Sequence, residues 1–215
     1  MKPVIAYSVA LTASISLWAV VVLGEAITAQ RMAGVVGSAT DPDSIDLATA
    51  QSLDHMLQAL TRLELAATVL VGVAMVAWLF RVRANAVIAG GHQRWGRPWI
   101  VLGWIVPIVN LWIPKQMVED VWVAGRPQRG IAGKSLLVSA WWISWLLYCL
   151  VSRFVGAAAD SWGGLHAVHD YATNTVMACG LGIPPVVLAL VVVWKIDGFQ
   201  HVEEERLELV AAGRA

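Results

Sequence analysis

The chain has 215 residues, of which 58% are hydrophobic and only 14% charged, with a formal net charge of +0. Soluble domains carry about 25% charged residues, which argues against an ordinary soluble globular domain, and a chain without net charge has no basic field with which to hold nucleic acid. The two cysteines, Cys149 and Cys179, lie inside apolar runs and read as small packing residues rather than as a secreted disulfide framework.

Charge-free apolar runs fill residues 3–24, 65–80, 135–152 and 171–194. A bilayer-crossing helix needs roughly 20 such residues, so the sequence predicts an all-α, polytopic membrane helix bundle with four transmembrane helices. The first run has Lys2 before it and Glu25, not a small-residue cleavage site, after it, so it is expected to be a retained helix rather than a signal peptide. Residues 25–61 follow on the outer side, carrying Asp41, Asp43, Asp46 and Asp54. Within them Leu53, Met56, Leu57 and Leu60 recur at helical spacing, which predicts a long second helix that begins before the bilayer.

That helix ends at Arg81 and Arg83, and Arg94, Arg97, Lys115, Arg126, Arg129 and Lys134 follow. The positive-inside rule places these groups in the cytoplasm. Between them lies the apolar stretch 99–113, interrupted by Pro107 and followed by Pro114. As a helix it would reach only about 22 Å, short of the roughly 30 Å hydrocarbon core, so a broken or re-entrant segment is expected. Both termini are then cytoplasmic, and of the 15 basic residues all but Arg31, Arg62 and Arg153 face inward. Gly180 to Pro185 should kink or closely pack the fourth span, since proline removes backbone donors and glycine admits neighbours. Residues 1–200 form one transmembrane bundle on this reading, and 201–215, with Glu203, Glu204, Glu205 and Glu208, a solvated cytoplasmic tail.

Polar groups within the spans carry the chemical information, because a carboxylate costs roughly 3 kcal/mol or more at the bilayer midplane. Glu64 precedes sixteen uncharged residues. It reads either as a desolvated carboxylic acid that keeps and donates its proton, or as the partner of a basic group near Arg62 or of Arg153. Glu25 is shallower and suits an interfacial anchor or a second acid. Arg153, Asp160, His166, His169, Asp170 and Tyr171 share the outer connection between the last two spans. There Asp170 is a candidate partner for Glu64, and the His spacing alone is too weak to predict a metal.

On the cytoplasmic side Asn110 follows the proline break, marking a helix junction or a pocket floor. Glu119 and Asp120 point about 100° apart, so one of them is expected to be solvated. Twelve tryptophans stand against three Phe and three Tyr. Trp95, Trp99, Trp162 and Trp194 suit an interfacial belt, whereas Trp104, Trp112, Trp141, Trp142 and Trp145 lie deeper and can either pack or wall a cavity whose indole faces stabilise a cation.

Two resemblances attach to these residues. At Arg81-Val82-Arg83-Ala84-Asn85-Ala86, and at residues 103–114 with the pattern W-x-x-P-x-x-N-L-W-x-P running into Gln116, Glu119 and Trp122, the chain resembles the bacterial membrane proteins grouped as domain of unknown function 4328, over about residues 60–195. That resemblance implies the architecture and no activity. Glu64 and the acidic outer segment fall outside its core and are expected to be particular to this chain.

In size and chemistry, rather than by an alignable motif, the chain is also similar to the small integral membrane terpene cyclases. That likeness implies a proton-initiated cyclisation of a prenylated, optionally epoxidised, lipophilic substrate without metal or cofactor. Glu64, with Asp170 or Glu25, would handle the proton, and Trp104, Asn110, Trp112, Trp141, Trp142 and Trp145 would line the substrate site. The alternatives are a non-catalytic assembly or interaction subunit and a small-molecule transporter. Partners are the lipid bilayer and a lipophilic small molecule, with homo-oligomerisation open and nucleic acid excluded.

Overall fold

The computed structural model describes residues 3–38, 44–126, 135–159 and 165–212, and among them there is no strand. Helix α1 runs Ile5–Gly37, α2 Leu47–Ile88, α3 Trp99–Ile105, α4 Ile113–Gly125, α5 Leu136–Ala159, α6 Leu165–Leu181 and α7 Ile183–Ala211, with a 3-10 turn at Val109–Leu111. Four stretches are long and apolar enough to cross a bilayer: Ile5–Gly37, Leu47–Ile88, Leu136–Phe154 and Ala167–Val210. The protein is an all-α, polytopic membrane helix bundle.

Local chemistry explains where the helices begin and break. At the start of α2, Asp46 Oδ1 accepts the Thr49 amide at 3.1 Å and its Oδ2 accepts the Thr49 hydroxyl at 2.6 Å, which satisfies one of the helix's orphan donors. The Thr49 hydroxyl and then its amide hold the Asp46 carboxyl below the usual carboxylate range. The kink expected near residue 182 is a break: Gly182 donates its N–H to the Cys179 carbonyl at 3.0 Å. Pro184 and Pro185 then occupy the first turn of α7, where a missing donor costs nothing.

The stretch 99–113 is broken as expected, and its axis turns through 105°. Helix α3 stops at Ile105, Pro107 follows, and Ile108 adopts φ 68° and ψ −53°, a strained position for a β-branched residue. Gly103 lets the two arms meet, since a Cβ there would lie 2.8 Å from Ile113 Cγ2. Pro114 then opens α4 within its first turn.

Two helices run further than their charge-free stretches. Helix α1 continues thirteen residues past the end of its stretch at Gly24, to Gly37, and α7 continues through the predicted tail to Ala211. Charge marks where the membrane ends, not where hydrogen bonding along the backbone ends. The chain divides into two compact units: a first of Met1–Ser14, Val71–Ile143 and Val187–Ala215, and a second of Ile15–Leu70 and Ser144–Val186.

In the first unit Trp78, Leu79, Val82, Ile113 and Val138 are wholly buried. In the second, Met32, Ala33, Val36 and Ala172 pack with Ala50, Leu53 and Leu57, so two members of the apolar stripe read before the second span face protein, while Met56 is exposed. Leu63, Leu65, Val69 and Val73 of α2 are exposed, as apolar residues in contact with lipid must be.

Candidate functional site

On α1, Trp18, Val22, Glu25, Ala29 and Met32 recur every three or four residues and all are buried, so Glu25 is a single carboxylate inside an otherwise apolar helix face. Thr61, Glu64 and Thr68 share one face of α2 by the same spacing, as do Trp145, Tyr148 and Ser152 on α5. These faces belong to the second unit, where they bring together what the linear sequence keeps apart.

The Tyr148 hydroxyl donates to Glu64 Oε1 at 3.0 Å, and the Ser152 hydroxyl is hydrogen-bonded to the same phenol. Trp18 Nε1 donates to Thr68 Oγ1 at 3.0 Å. The Trp18 and Tyr148 rings meet edge to face at 5.5 Å, Trp145 lies 5.8 Å from Tyr148, and Trp18 and Trp145 are 6.5 Å apart. A side chain at residue 182 would press on this group, since a Cβ there would lie 3.3 Å from Tyr148 and 3.4 Å from Trp18.

Glu25 is 7% exposed. The Thr61 hydroxyl hydrogen-bonds it and Glu64 repels it through space, yet its Oε1 is buried with no partner. Cys179 of α6 is the other ionisable group near both carboxylates. Among the described residues no ion pair reaches Glu25 or Glu64. Arg62 is two residues from Glu64, about 200° around the helix, and Arg153 is exposed. The expected pairing of Glu64 with a basic group is therefore not seen; its partner is a phenol. Among the described residues the hydrogen-bond partners of both carboxyl groups are hydroxyls, an unusual setting for acids on apolar helices.

The other predicted residues are placed elsewhere. Asp170 has a 76% exposed side chain and its recorded neighbour is His169, at 3.7 Å; it is not among the groups recorded around Glu64. His169 itself packs on Gly37. Asp160 and the His166 side chain lie outside the described residues, and among those described no group of three metal-ligating side chains converges.

Of the predicted indole wall, Trp145 alone joins the Tyr148 cluster. Trp104, Trp141 and Trp142 lie in the first unit, where Trp142 meets Trp104 and Trp141 edge to face at 6.0 and 5.5 Å. Trp142 Nε1 donates to the Leu111 carbonyl at 2.7 Å, while Trp104 Nε1 is buried without a partner. Asn110 is half-buried in the 3-10 turn, and Trp112 is 42% exposed.

Trp18, Thr61 and Tyr148 were not singled out from the sequence. The available signal was their helical register with Glu25, Glu64 and Trp145.

The motif region forms a second polar assembly, in the first unit. Arg94 Nε contacts Asp120 Oδ1 at 2.7 Å, and its NH2 reaches the Gln116 carbonyl at 3.0 Å and Glu119 Oε2 at 3.4 Å. Lys115 closes on Glu119 Oε1 at 2.8 Å. The expectation that Glu119 or Asp120 is solvated fails: one guanidinium is long and branched enough to bridge both faces. Trp95 Nε1 donates to Gln116 Oε1 at 2.9 Å, and Arg83 to the Trp95 carbonyl at 2.6 Å. Each of these residues makes at least one contact to protein, although Arg83 Nε is buried without a hydrogen-bond partner, and the opposed charges pair with one another as in a structural assembly.

No curated protein and no solved structure matches the chain. A family model does, over residues 41–198. That segment takes in the W-x-x-P-x-x-N-L-W-x-P stretch and, against expectation, also the acidic residues from Asp41 and Glu64, whereas Trp18 and Glu25 precede it. The match covers well over half the sequence, and the chain accordingly belongs to the family described as Domain of unknown function (DUF4328).

Proposed function

We propose that the protein is a membrane-embedded, metal-independent terpene cyclase with Glu64 as its proton donor. The observation that carries this reading is the pair of membrane carboxyl groups, Glu25 and Glu64, whose polar partners are hydroxyls and which adjoin the Trp18, Trp145 and Tyr148 rings. Glu64 gives its proton to a terminal alkene carbon or an epoxide oxygen of a prenyl chain. A neighbouring alkene attacks the cationic carbon and closes the ring, and the aromatic faces stabilise the charge while it lasts, each by about 2 kcal/mol when desolvated. Glu25 takes the proton released as the final alkene forms and returns it to Glu64. Substrate and product are isomers, so no co-reactant is consumed.

The test is to present well-folded protein in membranes with farnesylated and geranylated substrates, with and without a terminal epoxide. A cyclic product of unchanged mass, insensitive to chelator, is expected. Uniformly unreacted substrate favours the second reading, a non-catalytic assembly or interaction subunit. The observation on its side is that Trp104, Trp141 and Trp142 pack on one another and on backbone. A stoichiometric co-purifying partner would then be expected.

The proposed setting is the cell membrane, with both termini cytoplasmic. Its support is the basic content of the first unit, which holds Arg81, Arg83, Arg94, Arg97, Lys115 and Arg126. In a background lacking Cys149 and Cys179, a cysteine at Ser44 should react with an impermeant thiol reagent in whole cells and one at exposed His201 should not. The neighbouring Gln200 is unsuitable for labelling, because it is 6% exposed and hydrogen-bonded to Asn85 and to the Val82 carbonyl.

A further inference from the structure

We infer that the Glu25–Glu64 cluster is a binding site for a stable lipophilic organic cation, a quaternary or protonated amine or phosphonium bearing apolar substituents, which enters from the bilayer in exchange for protons. This goes beyond the cyclase reading and does not require turnover.

The charge argument comes from Glu25. Its side chain is more than nine-tenths buried, and Oε1 has no hydrogen-bond donor. A buried acceptor without a partner costs about 1–3 kcal/mol, more when charged. A second carboxyl, Glu64, is close enough to act on it electrostatically, and among the described residues no ion pair reaches either. The carboxyls of the cluster can therefore be neutralised only by bound protons or by a cation that arrives from outside.

Which cation it takes follows from the surroundings. Glu64 is half-buried, and Thr61, Leu65 and Thr68 beside it on α2 are exposed, so within a membrane the cluster is reached from lipid. A hydrated inorganic ion does not travel there; an apolar cation does. The second independent feature is the Trp18, Trp145 and Tyr148 group, since indole and phenol faces attract organic cations in a dry site. Among the described residues no group of three metal-ligating side chains converges here, which favours an organic cation over a hard metal.

Exchange against protons follows because, among the described residues, the ionisable groups of the cluster are Glu25 on α1, Glu64 on α2, Tyr148 on α5 and Cys179 on α6, none of them basic. An arriving cation replaces the proton that otherwise balances the carboxyls. Binding should therefore strengthen as pH rises and should release protons into weakly buffered solution.

The experiment uses the full chain in lipid nanodiscs with labelled tetraphenylphosphonium, and tetraphenylborate as an anion of the same shape. Saturable binding of the phosphonium that tightens with pH, with proton release and no saturable binding of the borate, is expected. Glu25→Gln and Glu64→Gln should each weaken it by roughly tenfold or more, and Trp104→Leu should leave it unchanged. Equal binding of the two ions, pH-independent binding, undiminished binding in both Gln variants, or no saturable binding overturns the inference. Should a Gln variant fail to fold, the charge and pH comparisons in the unaltered protein still decide. Cyclisation is assayed separately, so a protein that binds the cation but cyclises nothing would retire the cyclase reading and leave this one standing.

Discussion

Two tryptophan-rich regions in this protein are built from the same side chains and do different things. In the first unit Trp104 and Trp141 each meet Trp142 edge to face, and the Trp142 N–H is spent on the Leu111 carbonyl at the strained corner between α3 and α4. In the second unit Trp18 and Trp145 gather around Tyr148, whose hydroxyl is spent on a carboxyl group. Ring composition does not separate the two regions; the polar atom each ring group serves does. One cluster fastens a backbone that cannot satisfy itself, and the other surrounds acids that only hydroxyls attend.

The largest expected difference between the regions comes from Glu64→Gln, which keeps size and hydrogen bonding but removes the acidic proton. Cyclisation should fall about 100-fold or more, with little change in thermal stability. A variant that unfolds earlier yet keeps its turnover would place Glu64 with the structural groups instead.

Trp142→Phe should show the opposite pattern. It strands the Leu111 carbonyl and should cost about 1–3 kcal/mol by denaturation in detergent, with the product mixture unchanged. Trp18→Leu, by contrast, should shift products toward early-quenched species, because a different carbocation survives when one face is missing.

Tyr148→Phe sharpens the comparison further, since it keeps the ring and deletes the hydroxyl. The loss of one hydrogen bond to Glu64 should change the rate by roughly tenfold and leave the spread of products intact, as read by gas chromatography.

The smallest effect concerns the Asp46 cap, remote from both regions. Its folded carboxyl titrates below the ordinary value because Thr49 donates to the ionised form. Its contribution to holding the start of α2 is complete above the unfolded value, about 3.9, and is lost as pH falls through the lower folded value. Amide exchange at Thr49 and Ala50 should speed up over that acidic window, and Asp46→Ala should remove the dependence.

Much of this was legible in the sequence for one reason: charges are scarce. The four spans, the break near Pro107 and the isolation of Glu64 all follow from where charge is missing or out of place. The partners of Glu64 were not legible. In helices that are apolar all round, hydrophobicity cannot tell the lipid face from the protein face, so Trp18 and Tyr148 looked like any other membrane residue. Asp170 looked equally plausible as a partner until its exposure and its contact with His169 were known. The bridging of Glu119 and Asp120 by Arg94 was hidden for a different reason: helical spacing constrains Cβ directions, not the reach of a long side chain from another segment.

The central claim is that Glu25 and Glu64 form one proton-holding pair, and infrared difference spectroscopy of the purified protein in lipid tests it without any substrate. On raising the pH, the account predicts loss of a neutral carboxyl carbonyl stretch that is absent or shifted in both Glu25→Gln and Glu64→Gln. A band unaffected by either substitution, or affected by one with the other carboxyl titrating as before, would contradict the pairing.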